Sequence, residues 1–227
     1  MAGLDSYNVL MLHGEGVANF TDTSPIGRDP IKTNCTSDAV TYKFADYGMA
    51  FTGSASYATL DNHTDYEFGT GNFTIDCQFR LNSLTGIQNF IGYGTTASGV
   101  QFFYDGTDNK FKVYAFSTII LETAADLVAI NEWHHWAYVR YGNNHRIYID
   151  GTYKADTTNS GSYGVPNHAN KIKIGAETTL PSQFFNGYMD EFRISKGIAR
   201  WTGNFTAPVA EYTVASVVSF TPRIIWF

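Results

Sequence analysis

Apolar and polar residues alternate along most of this chain with a period of two, the spacing of strands that bury one face. The pattern is plainest in "NFTIDCQFRL" (72–81), where Phe73, Ile75, Cys77 and Phe79 fall on one side and Thr74, Asp76, Gln78 and Arg80 on the other. Comparable runs are "YNVLML" (7–12), "MAFTG" (49–53), "YATLD" (57–61), "NFIGYG" (89–94), "VQFFYD" (100–105) and "KFKVYAF" (110–116). Later come "EWHHWAYVRY" (132–141), "HRIYIDGTYK" (145–154), "NKIKIGA" (170–176) and "GYMDEFRIS" (187–195). The gaps hold "GTGN", "DGTDN", "YGNNH", "DG" and "NSGSYG", which is hairpin and turn chemistry. Even spacing of this kind predicts an all-β fold, an antiparallel two-sheet jelly-roll sandwich. The only helix candidates are short, "LVAINE" near 127–132 and "KGIAR" at 196–200. One domain is expected over residues 1–208, followed by a distinct extension, 209–227.

One strand carries an anomaly. In 188–194, alternation puts Asp190 on the face of Phe192 and Ile194, with Glu191 and Arg193 opposite. A carboxylate at the edge of a core needs hydrogen bonds, an opposite charge or a metal.

Composition narrows the function classes. With 44% hydrophobic and 16% aromatic residues, the 227-residue chain can build a sizeable core. A net charge of −6 speaks against nucleic acid as a partner. No apolar run reaches membrane-spanning length, so no membrane insertion is expected. The opening residues carry no signal-peptide pattern. Cys77 is in phase with the core, Cys35 lies in a turn, and both read as free thiols. The extension 209–227 ends in an apolar, strand-prone stretch in which Phe220, Ile224, Ile225, Trp226 and Phe227 form a sticky surface. It packs either on its own domain or on a neighbouring subunit, the latter implying a homo-oligomer or a larger assembly.

The order of "VLMLHGEG", "FADYGMAFTGSASYATL", "FGTGNFTIDCQFRLNS", "NEWHHWAYVRYGNNHRIYIDGTYK", "KIKIGAE" and "FNGYMDEFRISKGIARWTGNFTAP" resembles the laminin G-like branch of the concanavalin A-like jelly rolls. The resemblance implies that fold, which hosts lectins, glycosidases, adhesion modules and structural domains. The ending "RISKGIARWTGNF" is similar to domains of bacterial and bacteriophage surface or virion proteins. The expected function is therefore a non-enzymatic virion-associated protein (decoration, fibre or adhesion) with a carbohydrate-binding-type surface. Its partners would be virion structural proteins or a cell-surface glycan, and its location the virion. The alternatives are a structural cement protein that binds no glycan and an unrecognised glycoside hydrolase.

The residues bear on these readings unequally. Glycosidases of this fold pair carboxylates across one bond. Here Asp76 stands alone in its strand, and Asp190 and Glu191 are expected on opposite faces. His134 and His135 are adjacent on a strand and so cannot chelate one ion; one of them is expected to be buried and hydrogen-bonded. Trp201, with Ile198, is expected to anchor a short helical turn on the core. In this fold the strand of Asp190 closes near the N-terminal segment, where His13, Glu15 and Asp22 could complete an oxygen-rich Ca²⁺ site. The competing reading is that Asp190 accepts backbone N–H bonds and ties the last strand to the first loop. For a glycan, the candidate rim residues are Tyr104, Asp105, Asn109, Asn143, Tyr163 and Asn167.

Overall fold

The structure, a computed structural model, describes residues 4–16, 20–44, 46–94, 99–115, 117–161, 172–178 and 183–213. In chain order the strands are β1 (Asn8–Leu12), β2 (Ile31–Thr33), β3 (Thr36–Asp38), β4 (Gly48–Thr52), β5 (Tyr57–Leu60), β6 (Phe73–Leu81), β7 (Ile87–Tyr93) and β8 (Val100–Asp105). They continue as β9 (Lys110–Ala115), β10 (Thr118–Glu122), β11 (Trp133–Tyr141), β12 (Asn144–Ile149), β13 (Thr152–Thr158), β14 (Ile172–Ile174) and β15 (Asn186–Lys196). One sheet has the order β13-β12-β11-β6-β15-β4-β3, with β1 also paired to β15. The other runs β10-β9-β8-β7-β14-β5-β2, and every pairing is antiparallel.

The alternation in 72–81 is realised as written. Phe73, Ile75, Cys77 and Phe79 point between the sheets and are fully buried. Aromatic rings fill that space: Phe90 stacks on Trp136 at 5.1 Å and meets Phe79 edge-on, also at 5.1 Å. The turn from β12 to β13 is Asp150-Gly151, both with positive φ (51° and 73°), the geometry a two-residue hairpin of this twist requires. A side chain at Gly151 would also strike the Phe205 carbonyl, so the "DG" pair is fixed twice over.

Several expectations are corrected. Residues 127–132 and 196–200 are not helical; among the described residues the helical element is a 3₁₀ turn, Thr64–Tyr66. Trp201 anchors an extended segment instead, stacking on Phe205 at 3.9 Å. That segment, 197–213, crosses the outer face of the first sheet and buries Ala137, Val139 and Tyr148 beneath Ala199, Trp201 and Phe205. Tyr212 is itself buried, so the packed unit extends past residue 208. The strands β2, β3 and β10 escaped the alternation because they are mostly exposed or half-buried and present no regular buried face. Cys35 and Cys77 are buried free thiols. No helix among the described residues is long and apolar enough to cross a membrane.

Candidate functional site

Asp190 lies at a seam. One edge of β15 pairs with β6 along its length, and the other is shared end to end by β4 and β1. β4 covers Asn186–Met189, β1 covers Phe192–Ser195, and the ladder to β6 shifts register between Asp190 and Arg193. Glu191 takes up the extra residue with φ of 53°. The bulge advances the phase by one position, so Met189, Phe192 and Ile194 join the core. Asp190 is paired with Gln78 and Arg193 with Asp76, on the opposite face. Strict alternation placed Asp190 on the wrong face because it allowed no bulge.

At the seam Asp190 Oδ2 accepts N–H bonds from Lys43 (3.1 Å) and Phe44 (3.0 Å), and Oδ1 accepts one from Glu191 (2.9 Å). The tie therefore runs to the loop between β3 and β4, and the first loop is bound by Glu191. His13 Nδ1 lies 2.5 Å from Glu191 Oε1, and the amide of Tyr212 donates to Glu191 Oε2 at 2.6 Å. Burial pushes the Asp190 carboxyl up to about 7, aided by the Glu191 charge and opposed by the N–H donors. Burial works to lower the His13 pKa, but the Glu191 hydrogen bond and charge outweigh it and raise the net value.

The four candidate calcium ligands are not brought together. Asp22 spends Oδ1 on the amides of Met11 and Ser24 and Oδ2 on Ser24 Oγ and the Arg28 amide. Glu15 accepts from Thr21 Oγ1 at 2.8 Å. Among the described residues no three His, Cys, Asp or Glu side chains are grouped to hold a metal ion. Asp22 and Asp190 face backbone N–H donors, which is a poor environment for a cation.

Asp76 is not alone once the strands are aligned. Arg193 grips it with Nε to Oδ1 at 3.0 Å and Nη2 to Oδ2 at 3.1 Å. The Tyr212 hydroxyl donates to Oδ2 at 2.7 Å, and His135 Nε2 lies 3.3 Å away. Burial opposes the charge on Asp76, but Arg193 and His135 hold its carboxyl down at about 2. The Arg193 guanidinium lies between the rings of Tyr212 (3.7 Å) and Trp201 (5.7 Å). The whole group is sealed, which makes it a clasp for the C-terminal segment. His134 points the other way and bonds Asp150 Oδ2 at 2.7 Å, so the two histidines are on opposite faces.

The proposed rim residues split between two ends of the sandwich. Tyr104 is buried and donates to Asn109 Oδ1 at 2.9 Å, while Asp105 closes its own turn through Thr107 and pairs with Lys112. Asn109 holds a positive φ of 58° and bonds Asp126. These groups build the β8–β9 hairpin. Asn143 is exposed at the β11–β12 turn, next to Gly142, which is tied to Asn72 at the opposite end of β6. The length of β6 puts about 27 Å between the two ends. Tyr163 and Asn167 lie outside the described residues, as do Phe220, Ile224, Ile225, Trp226 and Phe227.

A different group converges at a corner of the second sheet. β2 pairs with β5 in a register that sets Ile31 against Thr59, which carries Asp29 and Arg28 towards Asp61 and Asn62 beyond the strand ends. There a recess of about 300 Å³ is lined by Arg28 and Asp29 on one side and Asp61, Asn62, His63 and Tyr66 on the other. Arg28 pairs with Asp65, and its Nη2 lies 3.0 Å from His63 Nε2. His63 Nδ1 is 3.0 Å from Asp65 Oδ2 and 3.2 Å from the Asp65 amide. The Asp65 amide donates to Nδ1, so the His63 side chain caps the 3₁₀ turn. Tyr66 is 1% exposed, and its hydroxyl is buried with no hydrogen-bond partner among the described residues. Burial raises its pKa well above that of an ordinary tyrosine, with Asp22 contributing. Only the polar cluster "DNHTDY" (61–66) hinted at this recess; its other wall comes from residues more than thirty positions earlier.

A family model described as "Concanavalin A-like lectin/glucanases superfamily" matches residues 52–200. Among solved structures, the binding domain of Paraclostridial Mosquitocidal Protein 1 superposes with a TM-score of 0.66 at 16% identity, over 85% of this chain and 49% of that one. The binding domain of Botulinum Neurotoxin DC in complex with SialylT gives 0.63 at 14% identity, over 85% and 49% of the two chains. Domain 4 of AbnA, a GH43 extracellular arabinanase from Geobacillus stearothermophilus, in complex with arabinotriose, gives 0.62 at 15% identity. That match covers 78% of this chain and 87% of the other. The chain thus spans about half the length of the toxin domains, and at these identities the likeness is one of fold. No curated protein sequence matches. With two antiparallel sheets in place and the family model matched across most of them, the chain belongs to the concanavalin A-like lectin/glucanase superfamily.

Proposed function

We propose that the protein is a non-enzymatic carbohydrate-binding jelly-roll module that serves on a virion as a decoration, fibre or adhesion subunit. The observation that carries the binding reading is the corner recess, where a guanidinium, carboxylates, an amide and an imidazole surround a space of ligand size. Sugars are recognised by such forks of donors and acceptors on their hydroxyls. The superfamily and the solved binding domains of like fold support the same reading. The non-enzymatic part rests on how the strand carboxylates are used. Asp76 and Asp190 are sealed and fully hydrogen-bonded, and Glu191 is held by His13 and Tyr212, so none is poised beside a substrate bond. The virion setting rests on the sequence resemblance and on the apolar extension.

The test is a glycan array probed with the full chain, together with a polysaccharide turnover panel and electron microscopy of the native assembly. Binding without turnover is the expected result. Turnover would make the protein a hydrolase, and an array with no binder, with the protein seated on a particle, would leave a structural cement role.

A further inference from the structure

We propose that Trp133, Arg80 and Tyr188, side by side on the outer face of the first sheet, form a subsite for an acidic sugar, a pyranose ring that carries a carboxylate. The inference rests on the carbohydrate-binding reading and adds to it a second surface and a ligand class.

Strand pairing builds the row. Trp133 of β11 and Tyr188 of β15 both stand opposite Arg80 of β6. Side chains opposite one another across a strand pair are rooted about 5 Å apart, so the two aromatic rings are rooted about 10 Å apart with the guanidinium between them. The next row along the same face is His135, Gln78 and Asp190. The C-terminal segment covers the sheet as far as that row, where Gln78 Nε2 donates to the Pro208 carbonyl at 3.4 Å. There the cover stops. His135, Gln78 and Asp190 are buried, whereas Trp133, Arg80 and Tyr188 are half-buried, and Val209, which follows Pro208, is 83% exposed.

The ligand class follows from the donors that Arg80 leaves unused. A guanidinium carries five N–H groups. Arg80 gives Nε–H to the Asn131 carbonyl and one Nη1–H to Asn82 Oδ1, each at 3.1 Å, and its charge lies over the Tyr188 ring at 5.5 Å. All three partners are neutral, and among the described residues no carboxylate pairs with Arg80. The other Nη1–H and the two on Nη2 make the end-on fork that grips a carboxylate through two parallel bonds. Neighbouring acids are engaged elsewhere. Asp190 accepts three backbone N–H groups, and Glu132 lies 3.9 Å from His134, which points to the opposite face. Neither Trp133 nor Tyr188 packs on another aromatic ring among the described residues, so both can meet the C–H groups of a sugar set above Arg80. Asn82 is exposed and keeps its Nδ2 for a ring hydroxyl.

The experiment titrates the full chain with trigalacturonate and sialyllactose, each beside its uncharged counterpart, the trigalacturonate methyl ester and lactose. Affinity is read by calorimetry and location by the assigned indole N–H signal of Trp133. At least one acidic probe should bind about tenfold or more tighter than its counterpart, the worth of one charge-assisted pair, and should shift that signal. Arg80→Gln should bring the acidic probe down to the affinity of its counterpart, and Arg80→Lys, which keeps the charge without the fork, should fall between. The acidic-to-neutral ratio is taken within each variant, well below its own melting transition, so a loss of stability does not mimic the effect. An Arg80→Gln ratio equal to that of the wild type makes Arg80 purely structural and overturns the proposal. An acidic probe that binds the wild type without moving the Trp133 signal also overturns it, and this reading needs no variant to fold. Neutral glycans bound with no acidic preference remove the subsite and leave the carbohydrate reading standing. Failure of every glycan, on this panel and on the array, overturns both.

Discussion

Asp190 has a carboxylate that water does not reach and three backbone N–H groups that need it. Replacing it by alanine leaves those donors unpaired, so the variant should lose about 1–3 kcal/mol of stability by denaturant titration. Because N–H groups fill its coordination, a chelator should leave the melting temperature of wild type and variant alike unchanged; a drop in the wild type alone would restore the calcium reading. The same residue sets a pH dependence. Its pKa rises from an ordinary carboxylate value to about 7 on folding, so the folded state binds the extra proton and loses stability as pH climbs from about 4 to about 7. His13, also raised, contributes stability that is complete below the ordinary histidine value and is lost as pH passes its folded value. Asp76, held at about 2, contributes above the ordinary carboxylate range and loses that only in strong acid. The melting temperature should therefore fall between pH 5 and pH 8. Asp190→Asn should flatten that slope, and a wild-type profile already flat over this range would refute the assignment.

The C-terminal segment 197–213 is the element that turns the outer face of the first sheet into a second buried layer. Trp201 and Phe205 cover Ala137, Val139 and Tyr148, and Tyr212 closes over Asp76 and Glu191. Two truncations separate this clasp from the extension beyond it. A chain ending at Pro208 loses Tyr212, leaving a buried carboxylate short of one donor and Glu191 short of another. It should melt well below wild type, by an amount matching about 2–5 kcal/mol for two lost charge-assisted bonds. A chain ending at Thr213 keeps the clasp and should melt as wild type does. Equal melting of the two truncations would mean that the clasp contributes nothing. The clasp was illegible in the sequence for a definite reason. Asp76, His135, Arg193 and Tyr212 are spread over 137 positions and meet only after three strands align in register.

For the whole molecule, the two antiparallel sheets supply the frame on which the proposed binding reading rests. The frame predicts a far-ultraviolet circular dichroism spectrum dominated by strand, and a strongly helical spectrum would contradict it. The apolar extension gives the proposal about assembly its test. The chain ending at Thr213 should remain folded yet sediment as a monomer, or fail to join the particle, where the full chain associates. If both chains sediment alike and bind the particle alike, the extension is not a docking segment.

What the sequence determined by itself was everything that local period and turn chemistry dictate. The long strands, the Asp150-Gly151 hairpin, the buried Cys77 and the opposed histidines all follow from alternation and from residues that tolerate positive φ. What only the tertiary structure decided were the features made by residues distant in the chain. A single bulge at Glu191 reversed the face of Asp190, because a one-residue slip inverts every side chain that follows. The seam between β4 and β1 chose Lys43 and Phe44 as its partners in place of the first loop. The β2–β5 register carried Arg28 to His63, and with them the corner recess. Alternation is a property of neighbours, while register and pairing are properties of the closed fold.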